Sequence, residues 1–380
     1  MRYGMNPHQA ARVVENGRAP LTVVNGTPSL INYLDALNAW QLVHEASQAL
    51  GDAVATSFKH VSPAGVAVAG CIDAAARETW GLAGEVGSMT SAYVRARDAD
   101  PKSSFGDVIG VSGPVDLELA DFLSRTVSDA IVAPGFESGA MAKLAAKKNG
   151  KFLVFEADPA FVPPAWESRD VYGMTFAQER DTAPLVAALA AHADSLPAEV
   201  RRDALLALAT LRYTQSNSIV LAKGGVTLGI GAGQQNRVDC VRLAAAKARS
   251  WWLRKHPDVR GLSLVEGMGR TDRINWQIRY AEESMSSHQV EEFVCLFGIP
   301  PGFSHPQEEQ WRDAWVQRLK DVTLASDGFL PFRDNIDFAA EVGVCTIVEP
   351  GGSIRSAEVR EAARAFGMRH IETGLRLFHH

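Results

Sequence analysis

Lys59 and His60 stand side by side behind the short β-branched run Ala53-Val54-Ala55-Thr56 and ahead of Pro63 and Gly65. An imidazole, with an ordinary pKa of about 6.5, can accept a proton near neutrality, and a neighbouring ammonium can stabilise the negative charge that develops. The pair therefore suits general-base chemistry with built-in charge stabilisation. It also reads as a surface lysine beside a hydrogen-bonded histidine. Arg2 and Tyr3 form an anion-binding pair, a guanidinium fork with one added phenol donor, or else a frayed terminus. Thr214-Gln215-Ser216-Asn217-Ser218 places hydrogen-bonding side chains in a row at the edge of a core strand. They need partners, whether neighbouring backbone, an ion or a substrate. Farther on, Phe329 and Phe332 accompany Arg333 and Asp334 in one loop, which suits a flat heteroaromatic ligand with polar edges, or two core aromatics.

The elements that must hold these residues follow from the apolar pattern. Residues 53–56 read as a buried strand, and Pro63 and Gly65 break regular structure after it, which puts Lys59 and His60 on a loop at the strand's mouth. Ser29 caps a helix running to about residue 49, two helical stretches fill 73–97, and a turn-rich loop at 100–107 feeds the strand Val108–Val111. A helix near 116–126, the strand Ala130–Ala133, a sharp loop at Pro134-Gly135-Phe136, a helix to Lys148 and the strand Phe152–Phe155, ending near Asp158, complete the first half. Strands alternating with helices of this length predict a three-layer α/β sheet, whose ligands gather where loops leave the strand ends. Lys59, His60, Gly135 and Asp158 all occupy such loops.

Residues 160–180 carry Pro163-Pro164 and read as a connector, followed by a helical pair over 182–211. Gly224-Gly225 turns one strand into the next, which ends in Gly229-Ile230-Gly231-Ala232-Gly233 before a long helix. Those glycines would allow a ligand close to the backbone, although GxGxG is not the GxGxxG dinucleotide spacing. Residues 255–320 read as a helical insertion with Trp276, Trp311 and Trp315 as packing anchors, after which the sheet resumes at Val322. The terminal Leu375–His380 reads as a packed native end because Leu-Arg-Leu-Phe leads into the two histidines.

Composition sets limits. The chain has 380 residues, 46% hydrophobic and 22% charged, with net charge −6. That acidic balance argues against a general nucleic-acid binder. Four cysteines without a CxxC pair suit reduced thiols in the cytoplasm. No signal peptide and no apolar run of spanning length appears, so the expected location is cytoplasmic, without membrane contact.

RYGMNPHQ (2–9), SFKHVSPAG (57–65), SSFGD (103–107), APGF (133–136), YTQSNS (213–218), GIGAGQQNR (229–237), WWLRKHP (251–257), SDGFLPFRDN (326–335) and LRLFHH (375–380) occur in one order along essentially the whole chain. Together they resemble the 5-aminoimidazole-4-carboxamide ribonucleotide (AICAR) formyltransferase family, the folate-dependent half of a bifunctional purine-biosynthesis enzyme. The resemblance implies two cytidine-deaminase-like α/β/α subdomains, at 1–165 and at 166–254 with 321–380, interrupted by a helical insertion at 255–320. It implies transfer of a formyl group from 10-formyltetrahydrofolate to the 5-amino group of AICAR. His60 would be the proton acceptor, Lys59 the transition-state stabiliser, and Asn217 a positioning group. Arg2, Tyr3 and Arg376 would hold the nucleotide, helped by Gly135, Asp158 and Asn217. Arg237, Phe329, Phe332, Asp334, Ser353 and Ile354 would hold the folate. A potassium ion would sit near Thr214, Ser216, Ser218, Asp327 and His379, with Thr210 and Arg212 bearing on that site. The family implies a homodimer with shared active sites. The sequence begins directly at the formyltransferase start, so the expectation is no cyclohydrolase activity and a separate IMP cyclohydrolase downstream.

The residue chemistry agrees. The AICAR amine is conjugated with its ring and is a poor nucleophile, so it needs orientation and removal of a proton. Attack on the formyl carbon builds an oxyanion that an ammonium would stabilise. A zinc deaminase on the same fold would need HxE or CxE with PCxxC, which the four cysteines do not supply. Formyl transfer using formate and ATP would need a P-loop, and none is present. A non-catalytic nucleotide- or folate-binding relic is the remaining alternative, against which intact Lys59, His60 and Asn217 speak.

Overall fold

The β-branched and small-residue runs assemble into one sheet of 11 strands in the computed structural model, which describes residues 1–14, 17–192, 194–262, 265–298 and 310–380. The first half comprises β1 (Leu21–Asn25), α1 (Leu30–Leu50), β2 (Val54–Lys59), β3 (Ser62–Val68), α2 (Ala74–Trp80), α3 (Ser88–Ala99), β4 (Asp107–Val111), α4 (Leu117–Ser124), β5 (Ser128–Ala133), α5 (Ser138–Ala146) and β6 (Leu153–Ala157). A separate hairpin, β7 (Trp166–Val171) and β8 (Met174–Glu179), follows. The second half runs through α6 (Leu185–Ala188), α7 (Ala198–Arg212), β9 (Ile219–Lys223), β10 (Val226–Gly231) and α8 (Arg237–Leu253). Four helices, α9 (Pro257–Arg260), α10 (Arg270–Glu282), α11 (Ser287–Phe297) and α12 (Gln310–Val316), precede β11 (Val322–Ser326). Then come α13 (Asp334–Ala340), β12 (Val344–Glu349), α14 (Ser356–Ala365) and β13 (Arg369–Glu372).

The two halves repeat one plan. Each has a helix, an antiparallel hairpin, a second helix and three parallel strands, in the orders β3-β2-β4-β5-β6 and β10-β9-β11-β12-β13. They join edge to edge where β3 meets β10, at Ala67 opposite Val226. Helices α1 and α7 cover one face, packing Leu42, Val43, Leu206 and Leu208 on Phe58, Val66 and Val220. Helices α3 and α8 cover the other, with α13 and α14 beyond α8 and α4 and α5 beyond α3. The outcome is the expected three-layer α/β/α architecture, in one continuous sheet. No helix among the described residues is long and apolar enough to cross a membrane.

Three local expectations change. Pro63 and Gly65 lie inside β3 rather than ending regular structure. Pro63 pairs with Phe58 next to a register shift, on a stretch of β3 where β10 makes no ladder, so its missing N–H costs no sheet bond. At Gly65 a Cβ would meet the Ala96 carbonyl oxygen of α3 at 2.0 Å. Gly229 and Gly231 do the same for α8, where a Cβ would lie 2.1 Å and 2.2 Å from the carbonyl oxygens of Ala244 and Cys240. The first two glycines of the GxGxG run therefore serve helix–sheet contact rather than a ligand. Residues 166–179, expected to be bare connector, form a hairpin exposed along its whole length, turned at Tyr172-Gly173 with φ of 48° and 83°. Within the expected helical insertion, residues 263–264 and 299–309 lie outside the described residues, and Trp276 packs against Phe293.

Candidate active site

His60 and Val61 form the whole connection between β2 and β3, with φ of 53° and 58°. A two-residue hairpin with both φ positive matches the strand twist but normally asks for Asn or Gly. Here Asp35 of α1 holds it: its Oδ1 accepts the Val61 N–H at 2.6 Å. Burial pushes the Asp35 carboxyl up to about 6, against the lowering pull of the Val61 N–H and the His60 charge. Lys59 thus ends β2, and its Nζ donates to the Phe105 carbonyl oxygen at 2.6 Å. The loop carrying Phe105 is anchored by buried Asp107, which accepts from Ser57 Oγ at 2.6 Å, Tyr93 OH at 3.0 Å and Arg97 Nη1 at 2.7 Å. SSFGD is thereby a device that fixes where the Lys59 ammonium points.

The polar run before β9 finds its partners mostly within the protein. Buried Asp327, just past β11, accepts from Ser216 Oγ at 2.6 Å and the Ser218 N–H at 3.0 Å, and pairs with the buried Arg237 guanidinium. Arg237 also donates to the Ser218 carbonyl oxygen at 3.0 Å and to Asn217 Oδ1 at 2.9 Å, so it fixes the orientation of that amide. The Ser216–Asn217 peptide is cis. The C-terminal segment is stitched to the same place: the Leu377 N–H reaches the Asp327 carbonyl oxygen at 2.9 Å, and Ser216 exchanges hydrogen bonds with the His379 backbone. Burial lowers the His379 pKa. Thr214 Oγ1 turns back to the Thr210 carbonyl oxygen at 2.7 Å, while Arg212 points away, to Glu45 and Asp181.

A cleft of about 880 Å³ opens against this network, walled by Asn217, Arg237, Phe329, Phe332, Arg376 and Phe378. Phe329 and Phe332 are each 48% exposed, so they are surface aromatics rather than core. Gly351 and Gly352 line the cleft, whereas Ser353, the fully exposed Ile354 and Asp334, the first residue of α13, follow lining residues along the chain without forming part of its wall. Arg376 stacks on Phe378 at 4.8 Å. The N-terminal arm is pinned rather than frayed: Arg2 N–H bonds to the Pro28 carbonyl and Leu30 N–H to the Tyr3 carbonyl, at the start of α1. Arg2 Nη2 also donates to Tyr3 OH at 3.0 Å.

Strand register decides which candidates share an end of the sheet. Lys59 pairs with Ser62, and Ile219 pairs with both Gly231 and Ser326. With Ala67 opposite Val226, the His60 turn, Asn217 and the loops after β11, β12 and β13 all emerge at one end. Gly135 and Asp158 follow β5 and β6, which run parallel to β4 and so finish at the opposite end. One chain therefore gathers Lys59, His60, Asn217, Arg237, Phe329, Phe332 and Arg376, and leaves Gly135 and Asp158 out. Asp158 there is paired with Arg18. Asp35 and Phe105 are the residues sequence reasoning passed over. The signal for Asp35 was a carboxylate on the buried stripe of α1, which is 4% exposed.

Two sets of groups bear on metals. Around Asp327, which Arg237 already pairs, Thr214, Ser216 and Ser218 offer hydroxyl oxygens, the hard chemistry of an alkali cation, and His379 an imidazole; buried Ser218 Oγ has no hydrogen-bond partner among the described residues. That orphan hydroxyl fits a cation. Elsewhere Glu349, His370 and Glu372 bring ligand atoms within 4.8 Å of one another. These are already engaged: His370 with Glu349 at 2.8 Å, Glu349 with the Leu330 N–H at 2.6 Å, Glu372 with Arg360 at 2.6 Å. Their visible work is to hold the loop that carries Phe329.

A family model described as "AICARFT/IMPCHase bienzyme" matches residues 1–247. Over the full chain, the sequence is 30% identical to the "Bifunctional purine biosynthesis protein PurH" of Aquifex aeolicus and 32% identical to that of Caulobacter vibrioides, covering 59% and 58% of those proteins. A protein of the same name from Cereibacter sphaeroides is 29% identical, with 59% of its length covered. The chain thus spans about three fifths of the length of the curated relatives it matches. With the matched segment holding the first half of the fold, the His60 turn and the Asn217–Arg237 network, the chain belongs to the AICARFT/IMPCHase bienzyme family.

Proposed function

We propose that this chain transfers the formyl group of 10-formyltetrahydrofolate to the 5-amino group of AICAR, in purine biosynthesis. The observation that carries the reading is the convergence, at one end of the sheet, of the Lys59–His60 turn with a large aromatic-walled cleft whose inner wall is Asn217 and Arg237. In this reading His60 takes the amine proton as the C–N bond forms, and the Lys59 ammonium stabilises the oxyanion on the formyl carbon. When that intermediate collapses, the formyl carbon breaks its bond to the folate N10, and N10 takes up the proton that His60 accepted and leaves as the secondary amine of tetrahydrofolate. Asn217, held by Arg237, orients the acceptor. Arg2, Tyr3 and Arg376 take the phosphate, and Phe329, Phe332, Asp334, Ser353 and Ile354 face the folate.

Gly135 and Asp158 enter this site only from a second copy, so the reading includes a homodimer with shared sites. The apolar hairpin supports it: Trp166, Met174 and Phe176 are 59%, 62% and 55% exposed, on a two-stranded unit that is marginal alone in water. Thr214, Ser216, Ser218, Asp327 and His379 would hold a monovalent cation, which would supply fixed positive charge that braces the run around Asn217.

The test uses 10-formyltetrahydrofolate carrying a labelled formyl carbon, with product masses read after incubation with AICAR. The reading expects the label on AICAR, and a Lys59→Met variant slower by about 10²–10³-fold with AICAR affinity retained. AICAR recovered unlabelled, despite binding, would end it and favour a binding relic.

A further inference from the structure

The outer wall of the aromatic cleft comes from the three loops that leave β11, β12 and β13, which carry Phe329 and Phe332, Gly351 and Gly352, and Arg376 respectively. One line of polar side chains runs behind all three. Glu349, the last residue of β12, is 1% exposed, and its Oε2 accepts the Leu330 N–H at 2.6 Å. Its Oε1 meets His370 Nε2 at 2.8 Å. The other nitrogen of that imidazole, Nδ1, lies 3.9 Å from the Glu372 carboxylate, which accepts from Arg360 of α14 at 2.6 Å. The Glu349 carbonyl oxygen takes the Thr373 N–H at 2.8 Å and so ties in the loop after β13 through the main chain.

The side chain of Leu330 is fully buried, whereas Phe329 before it and Phe332 after it are half exposed. The two rings are therefore placed by the backbone at Leu330, and the partner of that backbone N–H is Glu349. A buried carboxylate engaged at both oxygens is a fixed acceptor, and removing it leaves a buried N–H unpaired. Lys59, His60 and Asn217 stand on other elements, and Thr373 uses the Glu349 main chain rather than its carboxylate. A change at the Glu349 side chain thus reaches the aromatic wall and spares both the reacting groups and Arg376. We infer that Glu349, oriented by His370, is a positioning residue that sets how tightly this wall grips a flat heteroaromatic ring. That the ring is the bicyclic system of the folate donor rests on the formyl-transfer reading above.

Steady-state kinetics of the full chain test it, with the KM for 10-formyltetrahydrofolate, the KM for AICAR and kcat measured separately. Glu349→Leu, of similar size but without an acceptor, should raise the donor KM about tenfold, with kcat and the AICAR KM unchanged. Glu349→Gln keeps an acceptor for the Leu330 N–H and should restore the donor KM to within about twofold of the wild type. His370→Leu frees the carboxylate but leaves the Leu330 bond possible, so the donor KM should rise about threefold; it carries the test if Glu349→Leu does not fold. A donor KM unmoved by either leucine, a Gln variant as impaired as the Leu variant, or equal loss in kcat or in the AICAR KM would each overturn the inference. Tetrahydrofolate binding, read by calorimetry, separates it from the reading it rests on. If the wild type transfers no formyl group yet binding weakens in Glu349→Leu and returns in Glu349→Gln, the positioning role stands and the transfer reading falls. No binding by the wild type would overturn both.

Discussion

Asp35 holds the His60–Val61 turn from below, and it does so with a carboxyl whose pKa stands at about 6 because burial outweighs the Val61 N–H bond. A raised carboxyl pKa means that the folded state binds more protons than the unfolded one between about pH 4 and 6. Its contribution to stability is therefore present below the ordinary value and is lost as pH rises through about 6. Asp35→Asn keeps an acceptor for Val61 and removes the titration. Unfolding free energies from urea titrations between pH 4 and 7 should fall more steeply in the wild type than in Asp35→Asn, by on the order of 2 kcal/mol across the range. Parallel curves would contradict this assignment. Lys59 and His60 were legible in the sequence as chemistry because their types and adjacency suffice. Asp35 was not, because its role depends on a turn that neither His60 nor Val61 favours locally.

The glycines of β3 and β10 set how closely α3 and α8 lie on the sheet. Gly229→Ala would drive a Cβ into the Ala244 carbonyl oxygen, 2.1 Å away on backbone that cannot rotate aside. We expect it to lose about 1–3 kcal/mol or more in chemical denaturation. Gly135→Ala, with nothing within 4 Å of the added carbon, should stay within about 0.5 kcal/mol. Equal stabilities would show that the helix–sheet spacing is not fixed at Gly229. The alternation of strands and helices was readable because periodicity reports burial, and the Gly224-Gly225 turn because glycine reports positive φ. The His60–Val61 turn and Pro63 inside β3 were not. In both, tertiary context decides: an Asp35 bond under the turn, and an unpaired flank beside the proline. The exposed hairpin at 166–179 was missed because it buries too little to imprint an alternating pattern.

Across the whole molecule, the two repeats meet through β3 and β10, so each end of the sheet combines one repeat's hairpin turn with the other's parallel-strand loops. This puts the His60 turn with Asn217 and Phe329, and sends Gly135 and Asp158 to the far end. Sequence order lists all of them as strand-end loops and cannot say which end. If a second copy supplies the missing groups and covers the 166–179 hairpin, Trp166→Asp/Phe176→Asp should shift sedimentation toward the monomer. Transfer activity should fall about tenfold or more, since charge in an apolar interface core is costly. A dimer unaffected by both charges would place the interface elsewhere. The claim that governs all the others is that His60 serves as the base at this cleft. The most direct measurement is tetrahydrofolate release from 10-formyltetrahydrofolate, followed by absorbance with and without AICAR, for the wild type and His60→Ala. The account predicts AICAR-dependent release that falls by about 10²–10⁴-fold in His60→Ala. Release at an unchanged rate in His60→Ala, or none from a wild type that binds AICAR, would contradict it.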